Sequence, residues 1–372
     1  MRVRVNNQDE HFRTVSYDIE RNQVILIDQR KLPHTFCQLR TDNYQQTADA
    51  ISNMTVRGAG AIGATAAFGF AQGIRMAPME SSCSTFIQYI ENVFNALGQA
   101  RPTAVDPMNA LKWMRNEMRA FLKSGSKNGL NDFILNLAKK FADDDVAHCE
   151  QIGEYGAPLI KEGMNLLTHC NAGWLAFVDV GSATAPIYRA WDHGVRFHVF
   201  CDETRPRLQG ASLTAWELFN NGIDHSIIPD NAAGHLMQLE KIDMVIVGSD
   251  RVVARTGDVA NKIGTLTKAV LANQFQIPFY VAIPLSTLDW DLSSGTEIPI
   301  ERRDESEVTR ISGMDSNGHE HCITIANPGS KALNYGFDVT PSELISGIIT
   351  PKGIFKPYEL WENKHLLKDT SV

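Results

Sequence analysis

Residues 242–284 read IDMVIVGSDRVVARTGDVANKIGTLTKAVLANQFQIPFYVAIP. Two short apolar runs, DMVIVGS and PFYVAIP, flank GTLTKAVLANQ, whose apolar residues recur at helical spacing. Runs that are apolar on both faces suit strands buried on both sides of a sheet, and a helix between two such strands returns the chain for parallel pairing. The alternation continues N-terminally, where NLLTHC, VRFHVFC and IDHSII alternate with TAPIYRAWDHG and GASLTAWELFNNG. The expectation is an α/β fold with a doubly wound parallel sheet in a C-terminal domain, residues 146–372. In such sheets ligands sit beyond the carboxyl ends of the strands. The chemically loaded residues fall there: Cys170 after NLLTH, Asp202-Glu203 after VFC, Asp230-Asn231 after SIIP, and Asp250-Arg251 after VIVGS.

The first part of the chain has another rhythm. TVSYDIERNQVILID, residues 14–28, alternates, turns at Arg21-Asn22 and then runs apolar from Val24 to Ile27, which predicts a β-hairpin. From about residue 44 to 160 apolar residues recur at three and four, broken by a predicted loop at SGSKNG, residues 124–129. A smaller, mainly helical N-terminal domain with a short hairpin, residues 1–145, is therefore expected.

With 372 residues, 43% hydrophobic and 21% charged, the composition is that of a globular protein and excludes collagen-like and disordered classes. A net charge of −8 argues against a nucleic-acid partner, so a bound phosphate would be held in a local pocket. Cysteines 37, 83, 149, 170, 201 and 322 form no CxxC pair. Neither an apolar leader nor a membrane-length apolar run occurs, so a reduced, cytoplasmic protein without a membrane partner is expected.

Two polar segments precede helices. Arg57-Gly58-Ala59-Gly60-Ala61-Ile62-Gly63 could offer backbone N–H groups and a guanidinium to an anion, or its glycines could serve close packing. The loop expected at Gly257–Thr265 carries Asn261 and Lys262 beside another helix start. Cys170 stands where a strand gives way to a small-residue turn, and Asp250 where an apolar strand ends. A carboxyl there is either ion-paired, which lowers it, or desolvated, which raises it and would keep it protonated. Gln209 starts a helix and could bind hydroxyls, while Arg205 and Arg207 read as a salt-bridged turn. Three His-Cys dipeptides and His319-Glu320-His321 fit no standard metal spacing, so no metal is expected. No GxGxxG follows a strand, which disfavours a nicotinamide cofactor.

TVRGAGAIGA, ARPTAVDPMNAL, LLTHCNAG, DETRPRLQGASLTAWEL, DMVIVGSDRVVARTGDVANKIGT, IPFYVAIPLSTLD and GFDVTPSELISGIIT together resemble the methylthioribose-1-phosphate isomerase family, in that family's order and over residues 56 to about 350. The superfamily also holds regulatory subunits of the translation-initiation nucleotide-exchange factor and ribose-1,5-bisphosphate isomerase. The resemblance implies a Rossmann-like C-terminal domain, a homodimer, no cofactor, and an aldose–ketose isomerase that converts 5-methylthioribose 1-phosphate to 5-methylthioribulose 1-phosphate in methionine salvage. It places the proton donor at Asp250 and the active-site thiol at Cys170. The implied substrate-binding positions are Arg57, Gly58, Ala59, Arg101, Gln209, Asn261 and Lys262.

This chain departs from the family pattern with Gly60 where proline is usual, with the bulky Trp174–Asp179 after THCNAG, and with a longer segment 311–337. These leave 5-deoxyribose 1-phosphate as an alternative substrate. The Trp174–Phe177 bulk favours an apolar 5-group over the second phosphate of ribose 1,5-bisphosphate. A non-catalytic regulatory subunit would have no need of Cys170, Asp250 and Asn261-Lys262 together.

Overall fold

The computed structural model describes residues 1–5, 8–101, 105–123 and 127–368. Part of the loop expected at 124–129 lies outside them. The described chain divides into two units, residues 1–150 with 173–181, and residues 151–172 with 182–368. The division falls inside the helix Leu130–Gly156, so a continuous helix stands where a linker would be looked for.

In the first unit Val15–Asp18 and Gln23–Ile27 form the expected hairpin, with Val15 opposite Leu26 and Asp18 opposite Gln23. A third strand, Gln38–Thr41, extends it. Helices Tyr44–Ser52, Ala59–Arg75, Cys83–Gln99 and Val105–Leu122 and most of Leu130–Gly156 follow, as the periodicity predicts. Asn43 and Ser82 cap two of them by accepting the N–H groups of Gln46 and Thr85. Helix Ala59–Arg75 is buried at every position from Gly60 to Ile74, which only its run of small and apolar side chains permits.

Segment 173–181 belongs to this unit. Thr14 N–H donates to the Val178 carbonyl, Gln29 Nε2 to that of Leu175, and Thr14 Oγ1 to that of Trp174. Trp174 and Leu175 have no exposed surface and Phe177 is 4% exposed. The bulk that sequence reading assigned to a sugar's 5-substituent instead fills the interior of the first unit.

The second unit is built on a seven-stranded sheet. Its strands are β1 (Asn165–Thr168), β2 (His198–Asp202), β3 (His225–Ile228), β4 (Met244–Val247), β5 (Phe279–Ala282), β6 (Gly347–Thr350) and β7 (Gly353–Phe355). The order is β7-β6-β5-β4-β1-β2-β3, with β1 to β6 parallel and β7 antiparallel at the edge. The parallel strands run 3-2-1-4-5-6, the doubly wound order, and the winding reverses between β1 and β4. Leu166 pairs with Met244 there, and Leu167 with Val245. The five expected strands are present, and β6 is a sixth parallel strand that sequence reading did not assign.

A second sheet leaves the end of β4. Its strands are Leu288–Asp289, Arg251–Val253, Val259–Lys262 and Phe337–Thr340, in that order. The polar loop expected at Gly257–Thr265 is thus corrected: residues 259–262 are a buried strand paired on both sides. Residues 310–324 form an exposed hairpin, Arg310–Met314 with Glu320–Thr324. Among the described residues no helix is long and apolar enough to cross a membrane.

Candidate active site

The winding reversal places the carboxyl ends of β1 and β4 side by side, and with them the loops that carry Cys170 and Asp250. After β1 the chain passes through buried His169 to Cys170, which is half-buried and has a φ of +65°. A left-handed backbone is uncommon for a residue with a side chain. Cys170 N–H donates to Thr204 Oγ1 at 2.8 Å, and its carbonyl accepts from Thr214 Oγ1 at 2.7 Å. Thr204 follows β2 and is itself left-handed, at φ +65°. Its N–H and that of Arg205 donate to the two oxygens of Asp230, at 2.7 and 2.6 Å.

Gln209 precedes a π-helical turn, Gly210–Thr214, continued by the helix Ala215–Asn220. A β-carbon on Gly210 would lie 1.7 Å from the Asp202 carbonyl oxygen, so only glycine lets this turn close on the end of β2. Gln209 is 7% exposed, and its Oε1 accepts no hydrogen bond from the described residues. A buried amide oxygen left so is costly in a folded chain and suits a ligand hydroxyl.

Asp250 lies between β4 and Arg251–Val253. Its N–H donates to the Ala260 carbonyl at 3.0 Å, and Ser249 Oγ donates to the same oxygen at 2.9 Å. Since Arg251 pairs with Ala260 in antiparallel register, Asp250 stands opposite Asn261. The Asp250 side chain is exposed. This corrects the expectation of a carboxyl held neutral by an apolar pocket: the apolar strand ends at Val247, and the chain has already left the sheet at Gly248-Ser249.

Asn261 and Lys262 are 5% and 3% exposed. Asn261 Nδ2 donates to Thr265 Oγ1 at 3.0 Å, and Lys262 Nζ donates to the Gly336 carbonyl at 3.1 Å. The helix start beside them is capped from within. Asp338 accepts the N–H groups of Gly264 and Leu266 at 2.7 and 3.1 Å. Burial raises the Asp338 carboxyl above its ordinary range, against the pull of those two N–H groups.

His169 ties these loops together. Its Nδ1 lies 2.8 Å from Asp202 Oδ2 and its Nε2 lies 2.9 Å from the Ile263 carbonyl. Lys268 Nζ lies 3.0 Å from the same Asp202 oxygen. His169 thereby joins the ends of β1 and β2 to the segment that follows Asn261 and Lys262, at the carboxyl edge of the sheet. Behind Cys170, Asn171 Nδ2 donates to Thr214 Oγ1 and to Glu217 Oε1, and the Tyr188 hydroxyl donates to Glu217 Oε2. Burial, then the Glu217 charge, pushes the Tyr188 hydroxyl well up.

Potential ligand atoms of His169, Asp202 and Asp230 lie within 4.8 Å of one another. They already serve Lys268 and the backbone N–H groups of Thr204 and Arg205. Of the two arginines read as salt-bridged, Arg207 meets Glu307 at 2.7 Å, whereas Arg205 donates to the Pro206 and Val308 carbonyls.

The remaining sequence candidates lie in the first unit. Arg57 is 9% exposed. Gly58 has a φ of +91°, and a β-carbon on it would lie 2.3 Å from the Ala176 α-carbon. Ala59 opens the helix Ala59–Arg75. Arg101 is half-buried after the helix Cys83–Gln99, and the following motif residues 102–104 lie outside those described. Sequence reading missed Lys268, Thr214, Glu217, Tyr188 and Asp338. Each looks like an ordinary helix or loop residue until a distant strand end supplies its partner.

Fold and site define a doubly wound α/β protein with a thiol and a carboxyl on the two loops that flank its switch point, where such sheets take small ligands. More particularly, the chain belongs to the initiation factor 2 subunit family, whose profile matches residues 55–357. A methylthioribose-1-phosphate isomerase of Methylorubrum extorquens is 46% identical over 351 residues, 92% of this chain and 93% of that protein. One from Escherichia coli is 43% identical over 359 residues, 94% of this chain and 93% of that protein. Among solved structures, 5-methylthioribose 1-phosphate isomerase from Pyrococcus horikoshii has a TM-score of 0.83 at 39% identity, over 97% of each chain. Translation initiation factor eIF-2B subunit delta from A. fulgidus has a TM-score of 0.81 at 36% identity, over 96% of this chain and 100% of that one.

Proposed function

We propose that this chain is an aldose–ketose isomerase that converts 5-methylthioribose 1-phosphate to 5-methylthioribulose 1-phosphate, in methionine salvage. The observation that carries the reading is the pairing of Cys170 and Asp250 on the two loops of the switch point, with Asn261 opposite Asp250. Relatives of that name, similar along nearly the whole chain, support it.

The substrate's C1 is locked by phosphate as a mixed acetal, so the ring has no free aldehyde to enolise. The Asp250 carboxylic acid gives its proton to the ring oxygen, and the bond from that oxygen to C1 breaks. Hydrogen passes from C2 to C1, and the C2 hydroxyl returns a proton to the Asp250 carboxylate, leaving the ketone. Cys170 serves the C2 side, as the base that carries the proton or as the group that stabilises charge while hydride crosses. Electrons balance within the sugar, so the scheme calls for no external hydride.

Arg57, Gly58, Ala59, Arg101, Gln209, Asn261 and Lys262 are the proposed substrate-binding residues. Gln209 takes a sugar hydroxyl through its buried Oε1. A homodimer and a cytoplasmic location complete the reading.

The test is a side-by-side assay of methylthioribose, 5-deoxyribose and ribose 1-phosphates and ribose 1,5-bisphosphate. The highest kcat/KM is expected for methylthioribose 1-phosphate. Turnover of none of the four would overturn the reading and favour a regulatory subunit. In D2O, deuterium at C1 of the product marks the proton path and its absence the hydride path.

A further inference from the structure

Two hydroxyls grip the Cys170 backbone. Thr204 Oγ1 accepts the Cys170 N–H and donates its own proton to the Asp202 carbonyl, at 3.0 Å. Thr214 Oγ1 accepts from Asn171 Nδ2 at 3.1 Å and donates to the Cys170 carbonyl. Both hydroxyls therefore have fixed proton directions, set on one side by β2 and on the other by Glu217 through Asn171. Both threonines are buried, at 0% and 1% exposure.

What they hold is a residue that would not stay where it is unaided. A left-handed φ at a non-glycine residue costs free energy and persists only when the surroundings over-determine it, as functional sites often do. Thr204 is β-branched and is left-handed too, which makes it rarer still. Its own conformation is held by Asp230, and the π-helical turn that brings Thr214 into place closes only because residue 210 is glycine. A π-helical turn set against a strained strand end is a common feature of functional sites.

We infer that Thr204 and Thr214 are positioning residues for the Cys170 thiol. They clamp its N–H and carbonyl so that the side chain leaves the loop in one direction, toward the sugar's C2. This rests on the role proposed for Cys170 above and deepens it. Misplacing a reacting group by about an ångström is enough to cost roughly a hundredfold in rate, so loss of either hydroxyl should register in kcat.

The test compares Thr204→Val and Thr214→Val, which remove the hydroxyl but keep the shape, with Thr204→Ser and Thr214→Ser, which keep it. Turnover of methylthioribose 1-phosphate is measured alongside Cys170→Ser, and folding is checked by circular dichroism. Each valine variant is expected to lose at least about tenfold in kcat with KM within about twofold, and each serine variant to stay within about threefold of the parent. Iodoacetamide labelling of the Cys170 peptide in the free protein should change severalfold in rate in the valine variants and little in the serine ones. Should a valine variant fail to fold, the alanine and serine variants at that position carry the same comparison. An inactive Cys170→Ser with near-normal valine variants overturns the clamp alone. A fully active Cys170→Ser overturns the role of Cys170 and the clamp with it.

Discussion

His169 and Asp202 end neighbouring strands, and their side chains meet at 2.8 Å with 1% and 0% exposure. Lys268 reaches the same carboxylate oxygen at 3.0 Å, so one buried aspartate serves an ammonium and an imidazole. Removing one member of a buried ion pair leaves uncompensated charge and costs about 3–5 kcal/mol. Asp202→Ala should therefore lower stability by about that amount, read from the midpoint of urea unfolding. Asp202→Ala with Lys268→Met should recover part of the loss.

Gly210 tests how tightly the π-helical turn is pressed against β2. A β-carbon there would meet the Asp202 carbonyl at 1.7 Å and Thr204 Oγ1 at 2.8 Å. Gly210→Ala should cost at least about 2 kcal/mol by overpacking, because backbone rather than a flexible side-chain end must move. Turnover should fall with it, since Thr214 and Gln209 shift together. Thermal unfolding and initial rates measured on the same preparation check both.

Asp145 gives the first unit a pH response. It is half-buried, accepts the Val178 N–H at 2.8 Å, and desolvation pushes its carboxyl up to about 7. A carboxyl raised in the folded state binds its proton more readily there than in the unfolded chain. Its contribution therefore becomes unfavourable as pH rises from about 4 toward 7. Asp145→Asn keeps an acceptor for Val178 and carries no charge. The variant should match the parent near pH 4 and unfold at a higher temperature at pH 8. A gap in unfolding temperature that does not widen with pH would contradict this.

Asp338 caps the helix Thr265–Gln274 through Gly264 and Leu266. Asp338→Ala should cost about 1 kcal/mol, the usual value of a lost cap. Chemical unfolding measures it.

Much of the architecture is legible in the sequence because the parallel strands are rich in apolar and β-branched residues, and five of the six stand out as short runs of that kind. The sixth, Gly347–Thr350, opens on a glycine, holds only two large apolar residues and runs into a Pro-Lys-Gly turn, so it does not read as a strand. The strand Val259–Lys262 is hidden for another reason: half its residues, Asn261 and Lys262, are polar, so no apolar run marks it. Cys170, Asp250 and Gln209 could be picked out as polar residues at strand ends. Lys268, Thr214 and Glu217 could not, since helix periodicity records which face is buried and not which distant carboxylate or carbonyl waits there. Asp250 shows the limit of reading burial from a neighbouring strand, because two residues of loop suffice to bring a carboxyl into solvent.

The central claim is that Asp250 and Cys170 act on one sugar ring, and the most direct measurement follows conversion of methylthioribose 1-phosphate by phosphorus NMR with the parent, Asp250→Asn and Cys170→Ser. The account predicts that each variant loses at least about a hundredfold in turnover, the lower end for a general acid or base, while calorimetry shows substrate binding retained. Near-normal turnover by either variant would contradict it.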